Sequence, residues 1–226
     1  MIKLTNISKI YPPDITALTD INLEIKEGEF ISIVGRSGVG KTTLVKLLIA
    51  EEKPTSGKIE VLGWEVSRLK KRDIPYYRRQ IGVVFQDFKL LESKTAYENV
   101  AFTLMVCDIS PSKIKKLVPQ ALALVGLGGK EKRFPKELSG GEKQRLAIAR
   151  AFVHRPKILI ADELTGELDA LYAWEIAEIL IKINKLGATV MLSTHDRDIV
   201  NRLRRRVVTL EEGKIIRDQK IGEYLI

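Results

Sequence analysis

The chain has 226 residues, 45% apolar and 30% charged, with a formal net charge of +9. That length and apolar share suit one sizeable core and exclude a disordered chain, while no uncharged apolar run approaches the roughly 18 residues of a transmembrane helix and nothing at the N-terminus reads as a signal peptide. The excess of base favours anionic partners: nucleotides, acidic lipid headgroups or nucleic acid.

Alternation of apolar and polar residues predicts strands with one wet face at Ile2–Ile7 and Ile21–Ile25. Phe30–Val34 is a short apolar strand running into a glycine-rich turn, and a helix follows over Lys41–Ala50, closed by a loop at 53–57. Lys58–Leu62 and Ile81–Phe85 read as further strands. The stretch from Lys94 to Val125 is mostly helical, interrupted near Asp108–Pro111, and Ser139 caps a helix reaching about His154, with Glu142 placed as in a capping box. Lys157–Ala161 is a buried strand, Ala170–Leu186 an amphipathic helix, Ala188–Ser193 a strand, Asp196–Leu203 a short helix, and Val207–Leu210 with Lys214–Arg217 a hairpin. Strands alternating with helices predict an α/β fold with a mostly parallel sheet, a small antiparallel part and an inserted helical subdomain. The single cysteine, Cys107, has no partner for an internal disulfide, and a reducing, cytoplasmic setting is expected. Basic runs at Lys70–Arg72, Arg78-Arg79 and Arg204–Arg206 read as solvated faces before they read as binding patches.

Gly35-Arg36-Ser37-Gly38-Val39-Gly40-Lys41-Thr42 joins the Phe30–Val34 strand to its helix. Glycines at these positions let backbone N–H groups converge on phosphate oxygens, the helix N-terminus favours an anion, Lys41 adds a point charge at the β/γ phosphates, and the Thr42 hydroxyl suits Mg2+. Asp162 and Glu163 stand at the tip of Ile158-Leu159-Ile160-Ala161, where α/β proteins bind ligands. One carboxylate suits a metal ion and the next an attacking water. Neighbouring strand residues face opposite ways, so both reach one site only if the chain turns, and Leu164-Thr165-Gly166 supplies that turn. His195 and Gln86 follow two other strands in the same topological way. Tyr11, beside Pro12-Pro13, either packs on the core or stacks on a nucleobase. Leu138-Ser139-Gly140-Gly141-Glu142 is a second phosphate-handling sequence and suggests a site completed by another copy of the chain.

With these residues in hand, the chain resembles the nucleotide-binding subunits of ABC (ATP-binding cassette) systems over nearly its whole length. The match comprises Walker A at 35–42, Gln86 as Q-loop, 138–142 as signature, 158–163 as Walker B, Leu168-Asp169 as D-loop and His195 as switch histidine. The run from Arg68 to Leu91 is similar to the cell-division branch of that family. The resemblance implies an ABC-type P-loop domain, with a RecA-like core at about 1–88 and 155–226 and a helical subdomain at about 89–154. It implies ATP held by Tyr11, Gly35, Ser37, Gly38, Gly40, Lys41, Thr42 and Thr43 of one chain and by Ser139, Gly140 and Gly141 of a second, in a head-to-tail homodimer. It further implies Mg2+ at Thr42, Gln86 and Asp162, and hydrolysis carried by Glu163 with His195 and Gln86. An FtsX-like integral-membrane partner, indirect coupling to peptidoglycan hydrolases and a peripheral place on the cytoplasmic face of the bacterial plasma membrane follow from the same resemblance. No nucleic-acid partner is expected, because DNA-organising ATPases with this signature carry long heptad segments that this chain has no room for. The rival readings are an ATPase of lipoprotein export or macrolide efflux, and a scaffold that binds ATP but hydrolyses little. Leu164, where the family usually has Pro, leaves the last one open.

Overall fold

The computed structural model describes residues 1–164, 170–222 and 224. Two sheets carry the fold. The smaller is antiparallel, in the order β2-β1-β4-β5, from β1 (Ile2–Tyr11), β2 (Ile15–Ile25), β4 (Ser56–Val61) and β5 (Trp64–Glu65). The larger runs β10-β9-β3-β8-β7-β6, from β3 (Phe30–Val34), β6 (Ile81–Val84), β7 (Ile158–Asp162), β8 (Thr189–Thr194), β9 (Arg206–Glu211) and β10 (Lys214–Gln219). It is parallel except for β10, which returns antiparallel to β9 through a tight turn at Glu212-Gly213. The mixed α/β character expected from the sequence is observed.

Strict alternation along the central strands divides the core in two. Leu159, Ala161, Val190 and Leu192 face one side, packing with α3 (Ala96–Val106), α4 (Pro111–Leu124), α5 (Gly140–Phe152), α6 (Ala170–Lys185) and α7 (Arg197–Leu203). Ile158, Ile160 and Met191 face the other, packing with α1 (Lys41–Leu48) and the antiparallel sheet. A strand buried on both faces has no polar alternation, which is why β3, β7 and β8 read as continuous apolar runs. α3, α4 and α5 follow one another between β6 and β7, and Thr95 opens α3 with a full capping box.

Several boundaries differ from those expected, each for a local reason. β1 and β2 are far longer than the alternation suggested, because β-bulges between Leu4 and Ile10 break the period that sequence counting follows. The helix after the glycine loop ends at Leu48, and Ala50 lies at φ 55°, left-handed, closing it early. β4 begins at Ser56, inside the expected loop, pairing with Ser8. The short elements β5 and α2 (Ile74–Arg78) were not anticipated. Asp196 is the N-cap of α7, its side chain accepting from the Ile199 N–H at 3.1 Å. Most residues of the basic runs are exposed, as expected, while Arg79 and Arg206 are half-buried. The Arg206 guanidinium is bonded to Glu29 at 2.9 Å and to Asp218 at 2.7 and 2.8 Å. Arg78 donates to the Ile49 and Ala50 carbonyls, capping the end of α1.

Candidate functional site

β3, β7 and β8 end in register, Val34 beside Thr194 and Asp162 beside Ser193. Three segments leave the sheet at that edge, and each delivers part of one site. The first is the glycine loop. A Cβ at Gly35 would stand 2.3 Å from the Leu210 carbonyl oxygen, and one at Gly40, φ 103°, 2.5 Å from that of Ala17. Close backbone approach therefore requires glycine at both places. Gly40 is the N-cap of α1, whose first turn carries no acidic side chain, so its N–H groups and positive end are free to face an anion.

Lys41, 4% exposed, folds back over the loop. Its ammonium donates to the Gly35 and Arg36 carbonyls at 2.7 and 3.0 Å and pairs with Glu163 Oε1 at 2.9 Å. Glu163 sits at φ 54°, and its N–H donates to the Ser193 carbonyl at 2.9 Å. This left-handed residue is the turn that swings Glu163 to the same side as Asp162. The other oxygen, Oε2, lies 2.6 Å from His195 Nδ1, so one carboxylate joins the loop lysine to the histidine at the tip of β8. Leu164 is buried in the core, and its carbonyl accepts from the Gln144 side chain, a fixed seat for the residue that replaces the usual Pro. Thr165-Gly166 and the D-loop pair Leu168-Asp169 lie outside the described residues.

Asp162 is 4% exposed, and its Oδ1 has no hydrogen-bond partner. Burial raises its pKa above the ordinary carboxylate value, while the neighbouring Ser193 and Thr42 hydroxyls pull the other way. Thr42, Gln86 and Asp162 line one recess. An unpartnered buried carboxylate oxygen beside a hydroxyl and an amide is an oxygen-only donor set of the kind hard divalent cations take. Among the described residues no cluster of three His, Cys, Asp or Glu offers a rival metal site.

Tyr11, Ser37, Gly38, Gly40, Lys41, Thr42, Thr43, Gln86, Glu163 and His195 share a second recess of about 400 Å³. Gly35 lies beneath it, holding Lys41. Tyr11 is directly opposite Ile15 across the hairpin, with Lys9 Nζ 4.7 Å above its ring, and Ile15, Thr16 and Ala17 complete the wall. Those three escaped the sequence reading, although Ile15-Thr16-Ala17-Leu18 already shows the alternation of a strand. Gln86 is exposed, two residues past β6, and the segment after it is clamped. Arg150 donates to the Lys89 and Phe88 carbonyls at 2.6 and 2.7 Å, where both residues are left-handed.

Ser139, Gly140 and Gly141 do not line either recess. They form the exposed start of α5. Ser139 Oγ accepts from the Glu142 N–H at 3.3 Å, the Glu142 carboxylate accepts from the Ser139 N–H at 2.9 Å, and Lys130 pairs with that carboxylate. The capping box expected at this helix is present. One chain thus holds a complete phosphate cradle and, elsewhere, a second helix N-terminus turned to solvent.

The "ABC transporter" family model matches residues 18–166. The chain is 48% identical to the cell division ATP-binding protein FtsE of Bacillus subtilis (strain 168), over 99% of this chain and 98% of that protein. It is 49% identical to FtsE of Mycobacterium tuberculosis, again over 99% and 98%. Among solved structures, the ATP-binding cassette MJ0796, a dimer in a post-hydrolysis state bound to ADP and Pi, superposes with a TM-score of 0.90 at 36% identity, covering 99% of this chain and all of that one. With the cradle, paired carboxylates and imidazole converging at one sheet edge, the chain belongs to the ABC transporter family, as an ATP-binding and ATP-hydrolysing subunit similar to the FtsE cell division proteins.

Proposed function

We propose that this chain is the ATPase of an FtsEX-like complex, in which two copies close on ATP and transmit that closure to an FtsX-like integral-membrane partner, leading to activation of peptidoglycan hydrolases in cell division. Lys41, the glycine-loop amides and the start of α1 bind the triphosphate, and Tyr11 meets the base. Thr42, Gln86 and Asp162 would hold Mg2+, which supplies charge neutralisation at the phosphates. Glu163 takes the proton of the attacking water, and His195 orients Glu163. Ser139, Gly140 and Gly141 of the second copy cover the same phosphates from the other side. The exposed start of α5 and the dimeric MJ0796 relative support that assembly.

The observation that carries the membrane coupling is a groove between α2, β6, α3 and α5. Phe102, Met105 and Val106 are exposed large apolar residues on α3, Tyr76 stands exposed on α2, and Arg78, Arg79 and His154 line the groove. Arg150 is part of the same lining, and it also clamps the Gln86 segment. An apolar element seated there pushes on the Q-loop through a single side chain. Division into a core at 1–88 and 155–226 and a moving helical part at 89–154 fits that route. No helix among the described residues is long and apolar enough to cross a membrane, so attachment on the cytoplasmic face through the partner is the proposed location.

The test is capture from detergent extract of cells expressing the candidate partner, a four-span protein with a large extracytoplasmic loop. Phe102→Asp with Val106→Asp should abolish capture and partner-stimulated hydrolysis and leave basal hydrolysis within about twofold. Undiminished capture by that double variant would rule the groove out, and capture of a lipoprotein-export permease would favour the rival transporter.

A further inference from the structure

Beyond the last strand the chain comes back to the nucleotide site. Tyr224 is 6% exposed and forms an apolar cluster with Val34, Val200 and Val207. Val34 immediately precedes Gly35, and Val200 lies on α7, the helix that follows His195. The Tyr224 N–H donates to Asn201 Oδ1 at 2.7 Å, and its ring centroid is 5.5 Å from the Arg197 guanidinium, both on α7. Burial raises the pKa of its hydroxyl, and the Arg197 and Glu163 charges, the Gly35 backbone and Arg36 are the other groups that act on it. Gly222 makes the path possible. Its N–H donates to the Arg205 carbonyl at 3.1 Å, and a Cβ there would stand 2.8 Å from Val207. On its other side α7 is braced by Arg202, 3.7 Å from the Trp174 ring centroid on α6.

We propose that Tyr224 is a positioning residue for nucleotide binding and turnover, a strap that fastens the glycine loop to the helix following His195. Lys41 is anchored on the Gly35 carbonyl, so movement of Gly35 displaces the ammonium meant for the phosphates. A shift of α7 draws His195 away from Glu163. One aromatic residue, outside every motif of the family, holds both distances.

The proposal rests on the nucleotide site described above, so Lys41→Ala is the reference for losing that site. ADP affinity by titration calorimetry, single-turnover hydrolysis and the urea midpoint are measured for Tyr224→Phe and Tyr224→Ala. Tyr224→Phe keeps the ring and removes only the hydroxyl, the group on which the Gly35 backbone acts. It should weaken ADP binding about three- to tenfold with the midpoint unchanged. Tyr224→Ala should lower the midpoint and slow the single-turnover step about tenfold or more, with Phe restoring most of that rate. Lys41→Ala losing ADP while Tyr224→Phe stays within twofold of the parent in both affinity and rate overturns the strap and leaves the site standing. Because Phe retains the packing, that comparison decides the matter even if the Ala variant fails to fold.

Discussion

Glu163→Gln separates the two jobs that the geometry assigns to one carboxylate. Oε1 holds the Lys41 ammonium at 2.9 Å, with side chains 13% and 4% exposed, and Oε2 lies 2.6 Å from His195. A triphosphate claims the same ammonium, so binding must draw Lys41 away from Glu163. Hydrogen bonds to charged groups contribute roughly 1.5–3 kcal/mol and neutral ones roughly 0.5–1.5. Gln therefore lowers the competition by about 1 kcal/mol, and ATP should bind about fivefold tighter. Turnover should fall about 10²–10⁴-fold, the range for a positioned general base, or roughly 3–5 kcal/mol of barrier. Calorimetric titration gives the affinity, rapid-quench single turnover gives the rate, and light scattering after gel filtration should show an accumulated dimer with Mg-ATP. Turnover within tenfold of the parent would remove Glu163 from the chemistry. Affinity falling more than tenfold would mean the carboxylate holds nucleotide and not water.

The other outcomes concern the cradle and the fold. Lys41→Ala should weaken ATP binding at least a hundredfold by calorimetry, since nothing else among the described residues supplies a buried ammonium at the loop. Gly40→Ala puts a Cβ 2.5 Å from the Ala17 carbonyl at φ 103°, and should cost about 2 kcal/mol or more in urea unfolding along with a tenfold loss of affinity. A hundredfold excess of Mg-ATP over Kd should stabilise the protein by about 2.7 kcal/mol, and a melting temperature indifferent to nucleotide would contradict the site. Burial keeps the His154 imidazole neutral and lowers its pKa from 6.5 to about 4. The unfolded chain then takes up the proton first, so stability is full above pH 7 and falls as pH drops from 6.5 toward 4, by about 2 kcal/mol at pH 5. Urea midpoints at pH 7 and 5 should show that loss, and His154→Gln should flatten it.

The site was legible wherever a residue's role follows from its neighbours in sequence. Strand, glycine loop and helix are contiguous, so 30–48 declared both its geometry and its ligand. Asp162 and Glu163 were readable because an apolar run ends at them, and the left-handed φ of Glu163 is the turn that strand alternation demanded. Ser139 and Glu142 announced their cap through a fixed spacing. What stayed hidden is long-range. Ile15–Ala17 reach the nucleotide recess only because bulges prolong the β1–β2 hairpin. Tyr224 packs against Val34, next to the glycine loop, across the whole chain, and no local pattern marks an aromatic as a strap. Arg150 carries no sequence signal of its own, because its partners are carbonyls 61 and 62 positions away.

With a net charge of +9, most arginines are exposed, but several of them bind other elements of the fold. Arg206 bonds Glu29 and Asp218 and ties β9 to β10. Arg78 caps α1, the helix that presents Lys41, and Arg79 pairs with Asp108 at 2.9 Å, linking α2 to the end of α3. Arg145 pairs with Glu175, joining the helix that starts at Ser139 to α6. Guanidinium suits this work because its planar fork satisfies several carbonyl or carboxylate oxygens at once without losing its charge. Arg78, Arg79 and Arg150 all border the α2–α3–α5 groove and all reach toward α1, α3 or the Gln86 segment. On the proposed reading, a load on that groove passes to the Gln86 segment through the two Arg150 hydrogen bonds to Phe88 and Lys89. The Gln86 segment has left-handed residues at Phe88 and Lys89 and an exposed amide at its tip. Under the proposed coupling, motion imposed by the groove would reach Gln86, which shares a recess with Thr42 and Asp162, and hydrolysis there would be read out as mechanical work at the groove.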